Sequence, residues 1–110
     1  MYQGTTPALS MAIKGADVSG MKAFVSFKRG QDILTKSGSD VTMEYDSTNE
    51  KTILTVKLTQ EETLAMRQGD AIVQCRFIDS NDEAYATDKA VLNVEDVIYK
   101  EVISYGGESE

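Results

Sequence analysis

Apolar and polar residues alternate along most of this chain in short runs, and the period is two. From Ile53 to Leu58, Leu54, Val56 and Leu58 share one face while Ile53, Thr55 and Lys57 share the other. From Ala71 to Ile78, Val73, Cys75 and Phe77 alternate with Ile72, Gln74 and Arg76. Lys22 to Arg29 repeats the pattern, with Ala23, Val25 and Phe27 against Phe24, Ser26 and Lys28. Ala8 to Ile13 sets Leu9, Met11 and Ile13 against Ser10 and Ala12, and Val41, Met43 and Tyr45 alternate with Thr42 and Glu44. Each run predicts a strand with one buried face. Asp32 to Lys36 predicts a shorter strand, joined to the one before it by a glycine-containing hairpin at Gly30. Ala84 to Ala86 and Ala90 to Val94 predict a last strand, interrupted around Thr87-Asp88-Lys89. Val91 and Leu92 are neighbours, so both face the core only if that strand is covered on both sides.

The breaks between runs are turn chemistry: Gly15 to Gly20, Ser37 to Asp40, Asp46 to Glu50 and Asp79 to Glu83. Pro7 holds Thr6 extended and marks the first strand as an edge strand. One segment reads as helix. Thr59 stands three residues before Glu62, the spacing of a capping box, and Leu64 and Met66 follow. Gly69 is placed to supply a left-handed stop, so one helical turn is expected near residues 60–66. About seven short strands at roughly 8–12-residue spacing predict an all-β sandwich or small barrel. Its expected core is Val25, Phe27, Leu54, Val56, Leu58, Leu64, Val73, Cys75, Phe77 and Leu92. Lys28, Glu44, Lys57 and Arg76 are expected on solvated faces.

Two segments do not fit a closed sandwich. The arm Met1 to Thr6 is too polar to bury itself. Val97 to Ile103 carries Val97, Ile98, Val102 and Ile103 out of phase with a half-buried strand. Either it folds back as a final strand, or the two termini are covered by another copy or another protein. The Gly- and Glu-rich end, residues 105–110, is expected to fray.

The length of 110 residues predicts one domain, 1–110, able to fold without a metal or a disulfide framework. A single cysteine forms no intramolecular disulfide. The formal charge of −7, with scattered basic residues, argues against nucleic acid. Nothing near Met1 reads as a signal peptide, and no apolar run approaches the ~18 residues of a membrane span.

Catalytic chemistry finds few residues to use. Histidine is absent, which removes every Ser–His or Cys–His arrangement, and one cysteine does not make a zinc site. Cys75 keeps step with Val73 and Phe77, so it reads as a small buried apolar residue rather than a reactive thiol. Asp79-Ser80-Asn81-Asp82-Glu83 offers oxygens to calcium but lacks the glycine and distal glutamate of an EF-hand loop, and it reads as a turn. Glu61 and Glu62 read as first-turn helix residues, not an acid–base pair. No phosphate-binding glycine motif occurs. Tyr2, Tyr45, Tyr85, Tyr99 and Tyr105 are spread along a chain without tryptophan, a poor start for a sugar-stacking platform. No catalytic, cofactor-binding or metal-binding residue is assigned, no cofactor is expected, and the chain reads as non-enzymatic.

Three segments in order carry a resemblance: Tyr2-Gln3-Gly4-Thr5-Thr6-Pro7, Leu54 to Thr63, and Val73-Gln74-Cys75-Arg76-Phe77. Together they are similar to small prophage-encoded tail proteins of Gram-positive bacteria, and resemble the N-terminal domain of the upper baseplate protein family of siphophages. The resemblance spans Tyr2 to about Val94. It implies an immunoglobulin-like antiparallel β-sandwich that fixes a receptor-binding assembly to the tail tip, and it brings no catalytic motif. It further implies a virion location in the tail, synthesis in the bacterial cytoplasm, and other tail or baseplate proteins as partners; self-association is an expectation from the two termini. The family is richer in Thr and aromatics after the proline, where this chain has Ala8 to Ile13. No long C-terminal continuation follows the sandwich here, so the expectation is the anchoring module alone or a stand-alone relative. The competing expectation is a stand-alone immunoglobulin-like binding domain for a cell-surface glycan or a peptide strand added to an edge.

Overall fold

The computed structural model describes residues 1–106. Eight strands form two antiparallel sheets: β1 (Ala8–Lys14), β2 (Lys22–Arg29), β3 (Asp32–Ser37), β4 (Val41–Asp46), β5 (Lys51–Lys57), β6 (Gly69–Ile78), β7 (Ala84–Ala86) and β8 (Ala90–Val94). One sheet has the order β1-β5-β4. The other runs β3-β2-β6, with β7 and β8 both paired to the far side of β6. This is an immunoglobulin-like sandwich. Its strands correspond to B-E-D in one sheet and C′-C-F-G in the other. Among the described residues no strand takes the place of A.

The alternation in the sequence becomes the core. Val25, Phe27, Leu54, Val56, Leu58, Val73, Cys75 and Phe77 are all buried, as expected from their phase. Leu64 and Leu92 are only half-buried, while Val18, Ala23, Met66, Ala71 and Val94 complete the core instead. The helix is too short for periodicity to say which of its residues faces inward. Val91 points out and Leu92 in, so β8 is covered on one side only.

Loop chemistry behaves as the residues dictate. Gly30, at φ 65°, is the first of two residues linking Arg29 to its partner Asp32, the position a tight primed hairpin gives to glycine. Thr59 caps α1 (Gln60–Ala65): its hydroxyl accepts from the Glu62 amide, and Glu62 returns to the Thr59 amide at 2.8 Å. Gly69 does not stop this helix. The helix ends at Ala65 with Met66 already extended, and Gly69 (φ 124°) begins β6 under the Arg29 guanidinium, where a Cβ would collide. A second helical turn, Gly38–Asp40, carries the chain from β3 to β4, where the sequence showed only a break.

β7 and β8 are one strand cut by a bulge. Between the Arg76↔Ala86 and Val73↔Ala90 pairs, Gln74 and Cys75 face Thr87, Asp88 and Lys89, one residue more than they can pair. Thr87 repairs the ladder. Its amide donates to the Cys75 carbonyl at 2.9 Å, and its hydroxyl stands in for a carbonyl, accepting from the Cys75 amide at 3.1 Å.

Candidate functional site

The residues that sequence reasoning weighed for chemistry are occupied in structural work. Asp79 accepts from the amides of Asn81 and Glu83, at 2.9 and 3.0 Å, so its carboxylate closes its own loop. Asp17 and Asp46 do the same for theirs, through Ser19 and through Thr48 and Asn49. The Ser19 hydroxyl holds the Asp17 carboxyl below the usual range, and the Asn49 amide does so for Asp46. Cys75 lies fully inside the core with its thiol 3.1 Å from the Met11 sulfur, at the place where the immunoglobulin fold joins its B and F strands. Burial pushes that thiol up to about 11. Among the described residues no group of three His, Cys, Asp or Glu side chains converges on a metal position.

Glu61 is exposed, but Glu62 has a partner that sequence reasoning missed. Lys36, on the inner face of β3, is 7 % exposed and donates to both Glu62 oxygens, at 2.8 and 2.7 Å. Asp40, from the turn after β3, adds a longer contact of 3.3 Å. Burial by itself pushes the Lys36 ammonium down, but the hydrogen bonds it donates to Glu62 and Asp40 outweigh it, and the net displacement is upward. Burial likewise pushes Glu62 up, and Lys36 with the Thr59 amide pulls it below the ordinary carboxylate value. The pair ties the edge strand β3 to α1. It leaves no spare proton or charge for chemistry.

Edges and termini remain. The N-terminal arm is docked within the chain, contrary to the expectation from its polarity. Gln3 is buried: its amide donates to Glu95, its side-chain nitrogen to the Met66 carbonyl at 2.6 Å, and its side-chain oxygen accepts from Lys100. The Thr63 hydroxyl holds the Thr5 carbonyl, and Leu58 donates to Pro7. Polar residues are buried here because every one of them finds a partner. Tyr2 bridges Glu95 in parallel, which closes the end of β8.

The C-terminal segment is different. Val97 to Ile103 forms no strand. Gln60 clasps the Ile103 backbone with two bonds, at 2.8 and 2.9 Å, and Lys100 reaches Gln3. The apolar side chains stay out: Ile98, Tyr99, Val102 and Ile103 are exposed, as is Tyr105 beyond them. The tail-fraying expectation falls partly on residues 107–110, outside the described residues.

β1 is an edge, as Pro7 predicted. Pro7 and Gly15 lie in bonded register with Leu58 and Glu50, so the odd-numbered residues of β1 bond to β5. The amides and carbonyls of Ala8, Ser10, Ala12 and Lys14 therefore point away from the sheet. Beside them, between β1 and the bulged β7–β8 edge, runs a groove of about 460 Å³ continued by one of about 250 Å³, floored by Met11, Val73 and Phe77. A second apolar feature crosses the outer face of the larger sheet, where Ile33, Lys28, Ile72 and Val91 form one cross-strand row.

Compared with known proteins, the chain matches no family model and no curated sequence. No helix among the described residues is long and apolar enough to cross a membrane. The tyrosines lie on the arm, β4, β7 and the C-terminal segment. What the surface offers is therefore backbone and apolar contact: an unpaired strand edge, an apolar groove, and an apolar segment with β-branched and aromatic residues.

Proposed function

We propose that this chain is a non-enzymatic assembly module of a phage or prophage tail baseplate, which binds other virion proteins through its sheet edges and C-terminal segment. The observation that carries the assembly part is the Val97–Ile103 segment, where Val97 is half-buried but Ile98, Tyr99, Val102 and Ile103 stay exposed. Support for the tail part comes from the three segments of the resemblance. They are distant in sequence, yet the arm packs on α1 through Thr63 and meets Met66 through Gln3, and α1 joins β5 to β6. The first two segments therefore meet at one corner of the sandwich, and the third, residues 73–77, continues from it along the middle of β6. The absence of histidine and the structural use of Glu62, Asp79 and Cys75 favour a role without turnover.

A second reading, capture of an extended peptide by β1, draws on the unpaired edge. It leaves the C-terminal segment unused. The test is the composition of purified particles. A tagged chain expressed in the bacterium that encodes it should appear in isolated tails at a fixed ratio to the tube protein. A tagged chain found only in the soluble fraction after particle release would refute the assembly role.

A further inference from the structure

The chain contains both halves of a strand-exchange contact. The acceptor is β1, whose outward amides at Ala8, Ser10, Ala12 and Lys14 lie beside the groove floored by Met11, Val73 and Phe77. β1 is seven residues long, about 23 Å. The donor is Val97 to Ile103, also seven residues, rich in the β-branched and aromatic types that favour strands, and forming none. Its net charge is zero, with Lys100 against Glu101, so the segment itself brings no like charge into the groove.

The segment is kept out of its own groove. β8 ends beneath the N-terminal arm, where the Met1 ammonium donates to Asn93, Glu95 donates to Met1 and Gln3 donates to Glu95. The chain leaves past this clamp toward α1, and Gln60 then holds Ile103 there. A second molecule meets no such obstruction. We propose that the groove between β1 and β8 receives the Val97–Ile103 segment of a second copy of this chain, added to β1 as a further strand. Two such strands exchanged reciprocally close a dimer. Each carries Tyr99, worth roughly 150–250 Å² of burial, and four aliphatic side chains. That brings the pair within reach of the ~1,600 Å² of a stable interface. Release of the segment costs the two exposed bonds to Gln60 and the Lys100–Gln3 bond, against which β1 supplies ladder bonds.

The proposal deepens the assembly reading by naming one partner, and the experiment separates the two. Sedimentation and light scattering of the full chain across a wide concentration range should show a dimer. Hydrogen exchange at Ala8, Ser10 and Ala12 should slow as the dimer forms. Ala12→Pro removes an outward amide without touching the bonds to β5, an edge position where proline is tolerated. It should weaken association about tenfold or more with the fold retained by circular dichroism. Ile98→Asp with Ile103→Asp, both exposed in the monomer, should do the same, whereas Ile33→Asp on the opposite edge should not. A strictly monomeric chain overturns the proposal, and if that chain is still found in tails the assembly reading stands. Association that survives Ala12→Pro and the double aspartate variant but fails with Ile33→Asp also overturns it, in favour of the outer face of the larger sheet.

Discussion

Replacing Glu62 by alanine should be among the most damaging single changes near α1, and its size can be worked from its contacts. The Glu62 carboxylate accepts from Lys36 through both oxygens and from the Thr59 amide through one. Removing it leaves a lysine that is 7 % exposed with only Asp40, 3.3 Å away and itself largely in water. Breaking a buried pair from one side costs about 3–5 kcal/mol, and the residual Asp40 contact places this case near the lower end. Loss of the capping-box return adds about 0.5–1 kcal/mol, since the Thr59 amide is exposed and water can replace the bond. The expected total is ~3–4 kcal/mol in urea denaturation at neutral pH with an unchanged m-value. Lys36→Met should cost far less, ~1 kcal/mol, because it removes the charge, keeps an apolar stem, and leaves Glu62 its cap. Adding Glu62→Gln to Lys36→Met should then do little more. Glu62 is held below 4.5 and Lys36 above 10.5, so the pair's contribution is constant between those values. It is lost as pH falls through the folded-state Glu62 value, and again as pH rises through that of Lys36. A Glu62→Ala loss no larger than that of Thr59→Ala would refute the reasoning, because it would reduce Glu62 to a cap.

Phe77→Ala, at a buried position of β6, should cost on the order of 3–5 kcal/mol; a loss under about 1 kcal/mol would show that the ring faces outward. Cys75, buried with its thiol raised to about 11, should resist alkylation in the native protein at mildly alkaline pH and react fully in denaturant, so prompt stoichiometric labelling of the folded chain would contradict its burial. Chelation should leave the melting temperature unchanged because the Asp79 carboxylate is taken by its own loop amides; a clear rise on adding calcium would count against this.

The strands were legible because alternation is a local signal, and in Val25/Phe27, Leu54/Val56 and Val73/Cys75/Phe77 it matches burial residue for residue. The capping box was legible for the same reason. What the sequence hid is long-range and polar. Thr52 is wholly buried because its hydroxyl takes the Val18 amide and gives to the Ala16 carbonyl, pulling Val18 into the core from a loop that reads as solvent-exposed. Gln3 and Lys36 look like surface residues until Met66, Glu95, Lys100 and Glu62 are placed around them. No periodicity marks a polar side chain whose partners lie tens of residues away. The candidate site was half-legible: the misfit of Val97 to Ile103 shows in the sequence, whereas the open groove beside β1 depends on where the arm docks.

The three loops closed by Asp17, Asp46 and Asp79 lie together, since Gly15 bonds to Glu50 and Lys22 pairs with Ile78. Two of them are self-contained. The loops after β4 and β6 are held by their own aspartates, each bonding amides two to four residues on. The loop after β1 is wired through Val18 and Thr52 into the core. Heritable variation at this end is therefore unequally constrained. Sequence between the closing residues of the second and third loops can drift, or be exchanged for foreign loops, at little cost to folding so long as the position of Asp82, at φ 63°, keeps a residue that tolerates that backbone. The first loop can change only in step with the strand that anchors it.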